Sequence, residues 1–204
     1  MGDEKLKEME RYTKQLEFIT EIDSLKHVLR NTILLDSSRR ENDVEHSWHM
    51  SLAAMVLLEY SNFNGLDINK VIKMALIHDL VELDAGDVFA YSNANREEIK
   101  EKEKKAADRI FGLLPFEQEK ELRKLWDEFE EGLTAEAQFT QALDSFMPIF
   151  HSYKTKGLQW QKHGITAKKV LERNKRIEKG SKYLWGYIQN IVKDAVEKGY
   201  LKER

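Results

Sequence analysis

The chain has 204 residues, of which 41% are hydrophobic and 34% charged, with a formal net charge of −3 and no cysteine. The apolar share is too high for disorder, and no basic field argues for a nucleic-acid partner. Disulfides and thiolate metal sites are excluded, and a reducing compartment is compatible with the missing thiols.

The opening Met1-Gly2-Asp3-Glu4-Lys5 is highly charged and lacks the apolar core of a signal peptide. No apolar run approaches the ~18 residues of a membrane span. The chain therefore reads as soluble and cytoplasmic, with no membrane partner. Leu16, Ile19, Ile22, Leu25 and Leu29 recur at helical spacing and predict one or two amphipathic helices. Asp36-Ser37-Ser38 reads as a loop. Asn42 or Asp43 is placed to cap the next helix, whose apolar stripe is Val44, Trp48, Leu52 and Met55 or Val56. Asn62 to Gly65 breaks it, and Asp67 or Asn69 opens a short helix through Ile77 that is apolar nearly all round and so belongs in the interior.

Gly86 marks a turn, and residues 88–95 read as a loop. Residues 96–113 predict a helix with a charged face, followed by a second from about Phe116 to Glu131 that Gly132 ends. Thr134 is placed to cap a third, with Ala137, Phe139, Leu143, Phe146 and Phe150 inside. Residues 166–199 predict one or two more helices, broken near Gly180-Ser181. Their stripe of Leu184, Trp185, Ile188, Ile191 and Val192 suits either a core cover or a second subunit. No segment shows strand alternation, so the fold class is all-α. The expected organisation is one domain over residues 1–204, with a core at about 25–150 and C-terminal helices packing on it.

Three features of this layout carry chemistry. His78-Asp79 belongs at the buried end of the short apolar helix, where an ionised Asp needs a pairing partner or a bound cation. A satisfied core histidine beside a helix-end aspartate is the plain reading of that dipeptide alone. His46 lies in the first turn of the preceding helix, as either a structural donor or a ligand. Asp144 stands between Leu143 and Phe146 on an otherwise apolar helix face. Pro148 has no N–H for the carbonyl of residue 144, which predicts a kink there. Together these are two imidazoles and two carboxylates from three predicted helices. That mix suits one divalent transition metal (Mn, Fe, Co, Ni or Zn) with positions left open for water and substrate. His49, one turn beyond His46, reads as a structural residue, a supporting donor or a further ligand.

Taken in order, His46…His78-Asp79…Asp144 resembles the HD-domain signature, H…HD…D. The strings Glu41-Asn42-Asp43-Val44-Glu45-His46-Ser47-Trp48, His78-Asp79-Leu80-Val81-Glu82 and Gly86-Asp87 are similar to those of the 5′-deoxynucleotidases and the related HD-domain-containing protein 2 family. The match runs over roughly residues 25–150. The resemblance implies an HD-domain helical bundle and a metal-dependent phosphohydrolase. The foremost substrates are (deoxy)ribonucleoside 5′-monophosphates, cleaved to nucleoside and phosphate. Two alternatives stay open: another nucleotide phosphohydrolase, acting on a triphosphate or dinucleotide, and a low-turnover regulatory module that binds metal and nucleotide.

By the same resemblance His46, His78, Asp79 and Asp144 are the metal ligands, and Glu82 is the carboxylate that acts on the attacking water. Arg30 binds phosphate, and Asp87 contacts the sugar 3′-hydroxyl. A homodimer is also implied. No histidine lies between Asp79 and Asp144. Binuclear HD enzymes use extra histidines in that interval, so one metal is expected. Asn31 stands where many relatives carry a tryptophan beside the phosphate-binding arginine. That leaves Trp48 or Phe89 to meet the nucleoside.

Overall fold

In the computed structural model, residues 2–92 and 94–204 are described. Met1 lies outside them, as does Asn93 within the 88–95 loop. Helix α1 (Gly2–Ile22) leads through a 3-10 turn (Asp23–His27) into an antiparallel hairpin of β1 (Leu29–Ile33) and β2 (Arg40–Asn42). The helices that follow are α2 (Asp43–Leu57), α3 (Ile68–Ile77), α4 (Glu82–Ala85), α5 (Arg96–Phe111) and α6 (Phe116–Glu131). After them come α7 (Ala135–Lys154), α8 (Leu158–Lys162), α9 (Ala167–Asn174), α10 (Ile177–Gly180) and α11 (Lys182–Glu197). The class is all-α, as the sequence predicts.

Local chemistry sets the boundaries. Asn42 Oδ1 accepts the Glu45 N–H at 2.9 Å while Glu45 Oε2 accepts the Asn42 N–H at 3.1 Å, a capping box that starts α2. Asp67 caps α3 and Thr134 caps α7 in the same sense. Gly132 ends α6 in the left-handed region, at φ 62°. Helix α7 continues past Pro148 to Lys154.

The core forms two apolar clusters that meet at α3 and α7. Val71 and Ala75 of α3 pack with Met50, Leu143, Val170, Ile177 and Ile188. Met74 and Ile77 of the same helix pack with Phe18, Ile110, Phe111 and Trp126. The α11 stripe of Leu184, Trp185, Ile188, Ile191 and Val192 is wholly buried, so it covers the core and offers nothing to a second subunit. Among the described residues no helix is long and apolar enough to cross a membrane.

Several sequence expectations need correction. Leu29 belongs to a strand, and the hairpin went unseen because its inward residues are polar. Arg30 and Thr32 on β1 and Glu41 on β2 are buried, whereas Leu29 is exposed. Leu16 and Ile19 point outward from α1, whereas Phe18 is buried and Ile22 packs partly buried beside it. The region 166–199 holds three helices, because Ser181 caps α11 separately from α10.

The largest reversal is α2. Trp48 and Val56 are 61% and 71% exposed, while Asp43, His46, Ser47, Met50, Ser51 and Ala54 are buried. These six recur every three or four residues on one face. Ser47, Ser51 and Ala54 are small enough to let α2 approach α3 and α7 closely, and that face also delivers His46 inward.

The reversal is testable on one helix. Met50→Ala is expected to cost about 2–5 kcal/mol by denaturant titration. Val56→Ala is expected to stay within about 0.5 kcal/mol of the parent.

Candidate functional site

Four elements converge beside a cavity of about 630 Å³, which Arg30, His78, Asp79 and Asp144 line. The first turn of α2 supplies His46. The C-terminal end of α3 supplies His78, whose backbone still closes the helix on Met74, and Asp79 follows it. Asp144 projects from the middle of α7, and Arg30 reaches in from β1. His46 Nε2 lies 3.3 Å from Asp144 Oδ1, and His78 Nε2 lies 3.8 Å from the same oxygen. Asp79 Oδ2 is 3.1 Å from His78 Nε2, and the two imidazole centroids are 5.5 Å apart. The structure thus brings His46, His78, Asp79 and Asp144 together.

The imidazoles are oriented from behind. His78 Nδ1 donates to the Ala75 carbonyl at 2.9 Å, which turns Nε2 toward the carboxylates. Trp126 Nε1 donates to the His78 carbonyl at 3.2 Å. His46 Nδ1 faces Glu41 Oε2 at 3.8 Å. The Nε2 atoms of both histidines are buried and lack a hydrogen-bond partner. Buried polar atoms in folded proteins are almost always satisfied. Two unsatisfied imidazole nitrogens aimed at two carboxylates are what a shared divalent cation would complete, so the residues present fit such an ion. His46, His78 and Asp79 each place one donor atom within 4.8 Å of the others.

The electrostatics point the same way. Burial opposes charge on His78, but Asp79 and Asp144 outweigh it and push the imidazole up to about 10. His46 is held down at about 4, by burial first and then by the Arg30 charge. Asp144 lies well below the ordinary carboxylate range. Burial would raise it, but His46, His78 and Arg176 overcome that. In effect Asp79 and Asp144 favour a positive charge on His78 in addition to those of Arg30 and Arg176.

Arg30 has a structural task that the sequence did not reveal. Its guanidinium pairs with Asp79, lies 3.2 Å from Asp43 Oδ1 and reaches within 3.9 Å of Asp144 Oδ1. Glu82 opens α4 and lines the cavity, and its buried Oε2 has no hydrogen-bond partner. Its carboxyl is pushed well up, by burial first and then by the Asp79 charge. Asp87 follows the Gly86 turn, also lines the cavity and accepts from Asn31 Nδ2 at 3.4 Å. Phe89 lines the cavity too, edge-on to Tyr91 at 5.5 Å. Trp48 is turned to solvent on α2 and takes no part.

Sequence reasoning missed a group of arginines on the cavity wall. Arg96, Arg173 and Arg176 line it. Arg176 Nη2 holds Asp144 Oδ2 at 2.8 Å. Arg173 makes no ion pair with any described residue. Burial lowers its pKa first, and the charges of Arg96 and Arg176 lower it further. The available signal was the basic string Arg173-Asn174-Lys175-Arg176, but only the fold brings it to the mouth of the site.

Comparisons with known proteins place the chain in a family. The chain is 31% identical to the 5′-deoxynucleotidase HDDC2 of Homo sapiens over 145 residues, 71% of this chain and 69% of the human protein. It is 35% identical to the protein of that name from Dictyostelium discoideum over 118 residues, 56% of this chain and 62% of that one. A crystal structure described as a predicted metal-dependent phosphohydrolase from Magnetospirillum magnetotacticum MS-1 superposes with a TM-score of 0.90. It is 48% identical, with 94% of this chain and 96% of that one covered. A family model for the HD domain matches residues 22–185, which include the hairpin, every site residue named above and the arginine wall, and the chain therefore belongs to the HD-domain family.

Proposed function

We propose that this chain is a metal-dependent phosphohydrolase that cleaves nucleoside 5′-monophosphates, deoxy forms included, to nucleoside and inorganic phosphate. The observation that carries the reading is the pair of buried, unpartnered Nε2 atoms facing Asp79 and Asp144 beside a cavity that Glu82 also lines. The named activity of the curated relatives supports it.

His46, His78, Asp79 and Asp144 would hold one divalent ion. The mix of imidazole and carboxylate donors suits Mn, Fe, Co, Ni or Zn. When bound, such an ion supplies Lewis acidity to a phosphoryl oxygen and makes water more acidic. The chain's own groups do the rest. Glu82 has an oxygen free to accept a hydrogen bond, so it orients the attacking water and takes its proton. Arg30 holds Asp79 and Asp43 in place, and its guanidinium faces the phosphoryl oxygens from the cavity wall. Asp87 accepts from the sugar hydroxyl, and Phe89 with Tyr91 gives the nucleoside an aromatic surface where Asn31 cannot.

A second reading has its own observation. Arg173 and Arg96 add cationic groups to the wall of the cavity that Glu82 also lines, and Arg173 pairs with no carboxylate among the described residues. That supply of charge suits a nucleotide with a longer phosphate chain. Nothing comparable favours a low-turnover regulatory module.

We read the chain as one unit over residues 1–204, and its lack of cysteines suits the cytoplasm. A homodimer is best supported by apolar faces away from the core: Leu6, Met9 and Leu16 on α1, and Trp48, Leu52 and Val56 on α2 are all exposed.

Three outcomes are expected. Glu82→Ala lowers kcat for phosphate release by ~10²–10⁴-fold, with the fold intact by circular dichroism; unchanged turnover removes Glu82 from the chemistry. Dialysis against a chelator abolishes phosphate release, and adding back single divalent metals restores it, whereas His78→Ala is not restored. Arg173→Ala raises KM for a nucleoside triphosphate more than for the monophosphate if the longer chain is the substrate, and product analysis then finds polyphosphate rather than inorganic phosphate.

A further inference from the structure

A second cluster of metal-ligating side chains lies behind the first. Glu41 of β2, His49 of α2 and His151 of α7 each place one donor atom within 4.8 Å of the others. The placement follows from the helices already used. His49 is one turn beyond His46 on α2, and His151 is two turns beyond Asp144 on α7, so the seam that builds the first site continues into this one. None of the three lines the cavity. Glu41 separates the two groups, with its carboxylate facing the rear nitrogen of the His46 ring at 3.8 Å.

His151 supplies the independent observation. It is 2% exposed. Its Nδ1 lies 3.3 Å from the carbonyl of Ile33, the last residue of β1. That contact places the ring proton on Nδ1 and leaves Nε2 as a lone pair. Nε2 is fully buried and has no hydrogen-bond partner. A backbone carbonyl behind one nitrogen and a free lone pair on the other is the usual posture of a metal-binding imidazole. The rings of His49 and His151 are 5.4 Å apart between centroids and tilted by 54°, so they do not stack. No hydrogen bond joins any two of the three residues.

We propose that Glu41, His49 and His151 form a second divalent-metal site, separate from the HD-domain site, that takes a zinc-like ion. Two imidazoles and one carboxylate are a donor set suited to zinc and its neighbours, and a half-buried His49 leaves room for solvent in the remaining position. Such an ion would tie the hairpin to α2 and α7 and fix the carboxylate that stands behind His46. It is a structural and positioning site, with no part in contacting substrate.

The test is zinc stoichiometry on the full-length protein, stripped by chelator, reloaded with excess Zn²⁺, desalted and measured by elemental analysis. The parent is expected to retain one equivalent more than His49→Ala, a variant at a half-buried position whose fold is checked by circular dichroism. His78→Ala is expected to lose a different equivalent, and the double variant both, so failure of one site is told apart from failure of the other. The Zn²⁺ K-edge anomalous signal in a crystal of the loaded parent should show density between Glu41, His49 and His151. Equal zinc content in the parent and His49→Ala overturns the proposal, as does a loaded crystal with no anomalous density there. Should His49→Ala fail to fold, the anomalous map on the unaltered protein decides alone.

Discussion

The arrangement depends on concentrated negative charge in a place that water barely reaches. Asp79 and Asp144 face two buried imidazoles, Asp43 and Glu82 gather beside Asp79, and Asp87 lines the same cavity. Carboxylates gathered this way are tolerable only with compensating positive charge. Arg30 supplies part of it from β1 and Arg176 supplies more from the far side of Asp144. The remaining deficit is the force that raises His78, and it gives the site its demand for a cation.

That demand explains features that look wasteful in isolation. The hairpin is too short to stabilise a fold by itself, and its inward residues are polar. It exists where Arg30 and Glu41 are needed, one against Asp79 and the other behind His46. Helix α2 gives Trp48, Leu52, Met55 and Val56 to solvent and keeps two serines, Ala54 and Met50 inside. A helix has one inward face, and His46 fixes which face that is.

The same conflict decides what the sequence could tell. Elements whose function is only to pack were legible. The helix expected from about Phe116 to Glu131 matches the observed one, and local chemistry marks the caps, Thr134 singly and Asn42 and Asp67 each as one of two candidates. The metal-ligand candidates stood out because ionisable groups interrupt apolar helices. Where a site residue replaces an apolar one in the inward pattern, periodicity misleads, as it did for the hairpin and for α2. Arg173 and Arg176 were invisible for another reason. They lie 29 and 32 residues from Asp144 along the chain, and their place at the cavity follows only from how α9 and α10 fold back onto α7.

Helix α3 has one face in each apolar cluster, and His78 and Asp79 hang from its end. An ion held there is thermodynamically linked to both halves of the interior, because the unfolded chain cannot present the same set of donors. Occupancy then adds to global stability in proportion to the logarithm of free ion concentration over the dissociation constant. With an ion held there as proposed, the melting temperature becomes a property of the solution as much as of the sequence, and removing the metal weakens the scaffold along with the chemistry.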